Sequence, residues 1–139
     1  MNLIKKAFEF ASKIHTNEFR RDGITPYITH VQKVADIAAS RWGGEDIITV
    51  AFCHDCLESG ATLEELENDE FSEELVKAVQ LLTLDKNIPY HENIQKIKDS
   101  GNLLAIRVKI ADNLANLADD PTNKQIVKYA KSLLILMGE

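Results

Sequence analysis

The sequence predicts an all-α fold, one compact bundle of about seven or eight helices that takes in residues 1–139 as a single domain. Three observations predict it. Apolar residues recur at three- and four-residue intervals in nearly every segment, helix-capping residues stand where those runs begin, and no stretch shows the period-two alternation of a half-buried strand. With 45% hydrophobic and 27% charged residues, the chain has the composition of a globular domain large enough to bury a core without disulfides. No apolar run approaches a membrane span, and the opening Met1-Asn2-Leu3-Ile4-Lys5-Lys6 reads as helix, not as a leader. The expected location is cytoplasmic, with no membrane partner.

The first helix covers residues 2 to about 16, with Leu3, Ala7, Phe10, Ala11 and Ile14 on one face and His15 at its C-terminal end, favourable to the dipole. Gly23 and Pro26 mark residues 17–27 as a loop. Thr29 is placed to cap a second helix beginning at His30, lined inside by Val31, Val34, Ala35, Ala38 and Trp42 and ended by Gly43-Gly44. The third helix is expected from about Glu45 to Glu58, where Ser59-Gly60 breaks it. Thr62-Leu63-Glu64-Glu65 is a capping box opening a short acidic helix. Ser72 opens the next, with Leu75, Val76, Val79 and Leu82 inward. Pro89 suits the start of a helix from Tyr90 to Lys98, and Gly101 separates that from an apolar helix running from Leu103 to about Ala118. Pro121 opens the last helix, whose face of Ile126, Ala130, Leu133 and Met137 is expected to cover the core.

The net charge of -6 argues against general nucleic-acid binding, which needs a basic face. A phosphorylated small molecule is still admitted, because a metal ion and a few local cations offset that charge. The two cysteines, Cys53 and Cys56, form a C-x-x-C at the end of an apolar helix, with no second pair to complete a zinc site. They read as small buried hydrophobes.

Ionisable groups interrupt otherwise buried-looking helix at three places: His30, the pair His54-Asp55, and Asp112. Burying such groups costs several kcal/mol unless something pairs with them. Asp112 and Asn116 are four apart and share a helix face. Asp112 either pairs with Lys109 or a loop arginine, or joins the other three. Taken together, two imidazoles and two carboxylates suit Mn²⁺, Fe²⁺, Zn²⁺ or Co²⁺ and leave about two octahedral positions for water and a substrate oxygen. Metal-assisted hydrolysis is the first reading of those residue types.

The order His30, then His54-Asp55, then Asp112 resembles the H…HD…D pattern of the HD-domain metal-dependent phosphohydrolases. The stretches from Ala11 to His15 and from Phe19 to His30, together with Val108-Lys109-Ile110-Ala111-Asp112-Asn113-Leu114-Ala115-Asn116, are similar to the small alarmone hydrolases and to the hydrolase half of bifunctional alarmone synthetase/hydrolases. The resemblance implies that His30, His54, Asp55 and Asp112 ligate one Mn²⁺ ion. It implies that Arg20 holds the nucleotide, that Asn116 meets the ribose and 3′-phosphate, and that Glu58 helps activate the attacking water. Lys109 and Arg21 would help hold phosphate.

The chain departs from that pattern at Ser59, where the family usually has a second acid. A hydroxyl orients water but does not take its proton at neutral pH. Val31 replaces a common proline, and Cys53 and Cys56 replace aliphatic or small residues. The expected substrate is a purine nucleotide carrying a pyrophosphate, guanosine tetraphosphate by resemblance. The alternatives are another nucleotide phosphoester, or a metal- or nucleotide-binding sensor that has lost turnover and binds without releasing phosphate or pyrophosphate. The di-iron branch of the superfamily needs further histidines before the last aspartate, and only His91 is available.

Overall fold

The computed structural model describes residues 2–138, so Met1 of the opening stretch read as helix lies outside them. Among the described residues the chain forms eight α-helices and, as its only extended pairing, one isolated antiparallel bridge between Phe19 and Pro26. The helices are α1 (Leu3–Ile14), α2 (Ile28–Arg41), α3 (Glu45–Cys53), α4 (Leu63–Asn68), α5 (Glu73–Leu82), α6 (Tyr90–Asp99), α7 (Leu103–Leu117) and α8 (Asn123–Met137). The expected all-α architecture is what the chain adopts. No helix among the described residues is long and apolar enough to cross a membrane.

Five helices start on a side-chain cap, each worth about 1 kcal/mol. Asn2 accepts from the amides of Ile4 and Lys5, Ser72 from Leu75, and Asn102 from Ala105. Thr62 with Glu65 and Thr122 with Gln125 close two capping boxes. Helix α3 is the hub, packed against α1, α2, α5 and α7. Its Ile47, Val50, Ala51, Phe52 and Cys53 are all buried. Helix α7 packs on α2, α3, α5, α6 and α8, and buries Val108, Ile110, Ala111 and Ala115. The centre of the bundle therefore lies between α2, α3 and α7, the three helices that carry the candidate ligands.

Three expectations are corrected. Helix α2 starts at Ile28, with Tyr27 as a cap that makes no side-chain bond, so Thr29 is inside the helix and caps nothing. The Phe19–Pro26 bridge and the bond from the Tyr27 amide to the Glu18 carbonyl (2.7 Å) already turn the chain, and Pro26 accepts the first bond from Thr29 (3.0 Å). Helix α3 ends at Cys53, five residues before Glu58. The carbonyl of Ala51 explains this: it would serve the Asp55 amide in a continuing helix, but the His54 ring Nδ1 bonds it at 2.6 Å. The chain then continues through turns closed by bonds three and four residues long to Gly60, whose φ of 109° an L side chain rarely adopts.

Helix α8 presents a different face from the one expected. Ile126, Ala130 and Met137 are exposed and Leu133 is only half-buried, while Ser132 and Leu136 are buried. The run Leu133-Leu134-Ile135-Leu136-Met137 is apolar all round, so its periodicity selects no face. Packing against α6 and α7 makes the choice, and brings Lys128 and Tyr129 to the inner side. The helix begins from the Thr122 box, one residue after Pro121.

Candidate metal centre

His30 sits in the first turn of α2, His54 caps the C-terminus of α3, Asp55 follows it in the turn, and Asp112 projects from α7. One ligand atom from each of His30, His54 and Asp55 falls within 4.8 Å of the others. Asp112 joins them: its Oδ1 is 2.8 Å from His30 Nε2 and 3.5 Å from His54 Nε2. Asp55 Oδ2 is 3.1 Å from the same His54 nitrogen. Residues 82 positions apart thus meet in one pocket.

The tautomer of His54 is set by its neighbour. Nδ1–H donates to the Ala51 carbonyl, which directs Nε2 toward the two carboxylates. That nitrogen is fully buried and, among the described residues, makes no well-formed hydrogen bond, although the two carboxylates stand 3.1 and 3.5 Å away. A lone pair facing two carboxylate oxygens is repulsive unless a cation lies between them. In the bare protein a proton takes that part: burial alone would lower the His54 pKa, but Asp55 and Asp112 outweigh it and raise it well above 6.5. A divalent ion would replace that proton with a larger charge, and the N and O donors are the set such ions accept. The residues present fit a metal.

Two outer residues hold the carboxylates in place. The Tyr27 hydroxyl donates to Asp55 Oδ2. Burial, and then the Asp55 charge, push the Tyr27 pKa far upward, so it remains a donor. Lys109 donates to Asp112 Oδ2 at 2.9 Å, and both side chains are buried. Despite a burial cost that would raise it, the Asp112 pKa is held well below 3.8 by Lys109 and the imidazoles. For Asp55, burial is likewise overcome, by His54 first, and the pKa falls to about 2. Both acids are therefore ionised at neutral pH, as metal ligation requires.

Residues 7–133 match the model of the HD-domain family. The chain belongs to that family. It is 34% identical over 124 residues to the guanosine-3′,5′-bis(diphosphate) 3′-pyrophosphohydrolase MESH1 of Xenopus tropicalis, an alignment covering 84% of this chain and 69% of that protein. It is also 34% identical over 152 residues to a probable GTP pyrophosphokinase of Mycobacterium leprae, covering 98% of this chain but 18% of that much longer protein. Among solved structures, one described as a metazoan ortholog of SpoT that hydrolyzes ppGpp superposes with a TM-score of 0.85 at 24% identity, over 99% of this chain and 87% of that one. This last likeness is one of fold.

Around the four central groups of this HD domain, the other predicted residues lie on two sides. Arg20 donates through Nε (3.2 Å) and Nη2 (2.8 Å) to Asp119 Oδ2, and through Nη2 to Asn116 Oδ1 (3.0 Å), with its guanidinium 5.7 Å from the Tyr27 ring. Asn116 also donates to the Asp112 carbonyl at 3.0 Å. Arg20 and Asp119 line both a cleft of about 110 Å³ that reaches His30 and a wider one of about 420 Å³ that extends to Arg21 and Thr122. Arg21 donates to the Asp119 carbonyl at 2.9 Å. Lys109 proves to be the partner of Asp112, so it can serve phosphate only through what that ion pair leaves over.

On the other side, Glu58 Oε1 accepts from the Leu84 amide at 2.9 Å. Burial, with a further contribution from Asp55, raises its pKa above 4.5. Ser59 does not face an open water position: its hydroxyl donates to Glu18 Oε1 at 3.0 Å, and the other Glu18 oxygen is 3.2 Å from His15 Nδ1. His15 stands at the C-terminal end of α1 as expected, and is also buried against Tyr27, at 4.9 Å between centroids. Cys53 and Cys56 are both buried and unbridged, as small hydrophobes would be. His91 donates from Nε2 to the Lys128 carbonyl at 3.2 Å, a structural contact between α6 and α8. Sequence reasoning missed Tyr27, Glu18 and Asp119. Tyr27 carried a usable signal, because a phenol three residues before a helical histidine lies one turn away on the same side.

Proposed function

We propose that this chain acts as one HD domain with a divalent-metal-dependent phosphohydrolase site, and that its substrate is a purine nucleotide bearing a pyrophosphate, guanosine 3′,5′-bis(diphosphate) first among them. The observation that carries the reading is the convergence of His30, His54, Asp55 and Asp112, with both carboxylates close to a buried imidazole nitrogen that makes no well-formed hydrogen bond to either. The name of the Xenopus relative, 69% of whose length is aligned, favours hydrolysis over nucleotide synthesis.

The four residues would hold Mn²⁺ or a similar ion, which when bound polarises a phosphoryl oxygen and makes a water molecule more acidic. The chain's own groups do the rest. Arg20 and Asn116 grip the nucleotide on the α7 side, and a phosphate arriving there exchanges with Asp119 at the guanidinium edge. Glu58, one turn beyond Asp55 and fixed by the Leu84 amide, accepts the proton of the attacking water at its carboxylate. Its raised pKa brings it nearer the operating pH of a general base. Tyr27 and Lys109 keep Asp55 and Asp112 aligned and ionised.

A panel of guanosine tetraphosphate, other pyrophosphorylated nucleotides and simple nucleotide monoesters, each with and without Mn²⁺, tests this reading by scoring phosphate and pyrophosphate separately. Pyrophosphate released from guanosine tetraphosphate only with metal is the expected result. Binding without any release would instead favour a nucleotide sensor, a reading that the engagement of Ser59 by Glu18 supports.

The Ser59–Glu18 contact also governs how a second acid could be introduced. Ser59→Asp alone would set two carboxylates against each other at hydrogen-bond distance, so it is expected to lower the melting temperature by a few degrees, roughly 1 kcal/mol of like-charge repulsion. Glu18→Gln added to it converts the contact into an amide–carboxylate bond. The double variant is expected to regain the lost stability and to exceed wild type in kcat. A single variant as stable and as active as the double one would contradict a direct Ser59–Glu18 coupling.

A further inference from the structure

The proposed hydrolysis gives no task to the inner side of α8, where two groups without a polar partner meet the Lys109 ammonium of α7. The Lys128 ammonium lies 4.2 Å from the centre of the Tyr90 ring and 5.5 Å from that of Tyr129. The Lys109 ammonium approaches the same Tyr90 ring at 5.8 Å, so the ring is flanked by cations from two helices. The Tyr90 hydroxyl oxygen is buried and has no hydrogen-bond partner. Lys109 is neutralised by Asp112 at 2.9 Å, but among the described residues no carboxylate lies within 4.0 Å of Lys128.

Singly, each feature is commonplace. Together they describe a place built for a negative charge. Aromatic faces hold an ammonium in position through the ring quadrupole without neutralising it. A buried hydroxyl without a partner is rare in native proteins, and an ion or a water molecule commonly completes one. The local field agrees: burial first, and then the Lys109 and Lys124 ammoniums, lower the Lys128 pKa, and Asp112 offsets them only in part. The backbone is fixed as well, because the Lys128 carbonyl accepts from His91 of α6.

We propose that Lys128 and the Tyr90 hydroxyl form an anion subsite beside the metal centre that takes the pyrophosphate group of the substrate. A lysine suits this part because its ammonium is a compact charge with three donors, able to follow a phosphate group as it departs. Tyr90 contributes a hydroxyl donor on the very ring that the Lys128 ammonium approaches, and Lys109 adds charge from behind the Asp112 pair. The identification of the anion as a pyrophosphate group rests on the hydrolase reading; the existence of the subsite does not.

The test titrates inorganic pyrophosphate into the Mn²⁺-loaded full chain by calorimetry and measures KM and kcat on guanosine tetraphosphate in parallel. Lys128→Gln is expected to weaken pyrophosphate binding about tenfold or more and to raise KM by a similar factor, with kcat within about twofold of wild type. Lys128→Arg should restore most of the affinity, and Tyr90→Phe should weaken binding about threefold to fivefold. The dependence of affinity on salt should become shallower in Lys128→Gln, a readout that a merely structural lysine would not move. Unchanged pyrophosphate affinity in Lys128→Gln overturns the proposal. So does a loss that arginine fails to rescue, or a Tyr90→Phe protein that gains melting temperature and keeps full affinity. If no nucleotide is hydrolysed but pyrophosphate binding still depends on Lys128, the hydrolase reading fails and the subsite stands. Active enzyme whose pyrophosphate binding is independent of Lys128 removes the subsite and leaves the hydrolase standing.

Discussion

Asp55→Ala is expected to reduce the divalent-metal content of the purified protein from about one ion per chain to near zero, and hydrolysis by at least about a thousandfold. The magnitude follows from the geometry, since among the described residues Asp55 is one of two carboxylates facing His54 Nε2, at 3.1 Å. Two donors of the same kind cannot take its place, because Glu58 is bonded to the Leu84 amide and Glu18 to Ser59. The fold should survive the change. The partners left behind are His54, which keeps Asp112 at 3.5 Å, and the Tyr27 hydroxyl, a neutral group whose orphaning costs about 1–3 kcal/mol.

Asp112 makes the instructive contrast. Its removal would leave the Lys109 ammonium buried with no counter-ion, and breaking a buried pair in that way costs about 3–5 kcal/mol. An inactive Asp112→Ala protein would therefore say little about metal, whereas an inactive, folded, metal-free Asp55→Ala protein isolates the site. Elemental analysis of the two variants beside wild type makes the comparison. Metal content unchanged in Asp55→Ala would end the assignment of this centre.

The four central residues were legible because each breaks a local rule. His54 and Asp55 end an apolar helix, Asp112 interrupts another, and His30 opens a helix next to a loop with two arginines. Charged groups inside apolar periodicity require a partner, and shared demand for a partner is information that composition and spacing carry. The helices were legible for a similar reason, since Thr62 and Ser72 announce themselves through caps that act over three residues, whereas the Thr122 box behind Pro121 went unread.

What remained hidden depends on contacts between distant parts of the chain. The early start of α2 follows from a bridge across the loop, and the early end of α3 from a ring nitrogen taking a backbone carbonyl. The inner face of α8 is chosen by α6 and α7 among apolar residues that give no preference. Arg20 and Asp119 lie 99 residues apart and Ser59 and Glu18 lie 41 apart, so no local pattern pairs them before the fold brings them together. The same holds for Lys128 over Tyr90.

Glu58→Gln is expected to lower kcat by about a hundredfold to ten-thousandfold while leaving KM and metal content close to wild type. Glutamine preserves the shape and can still accept from the Leu84 amide at the carbonyl oxygen, so the turn after α3 keeps its anchor. What is lost is the group that takes a proton. The same substitution should stabilise the metal-free protein. Burial, then Asp55, raise the folded-state pKa of Glu58 above 4.5, so the folded protein disfavours its charged form. The unfolded chain releases that proton at lower pH, and Glu58 therefore costs stability progressively as pH rises from about its unfolded value through its folded one. Below that window wild type and Glu58→Gln should unfold at nearly the same urea concentration. Above it the variant should be the more stable, by a margin that grows through the window and then levels. A residue that weakens the fold while carrying the reaction is the expected signature of a general base held in a poorly solvated place. Glu58→Gln protein that keeps more than about half of wild-type kcat would move the proton acceptor to another residue, and one that shows no pH-dependent gain in stability would contradict the burial that tunes it.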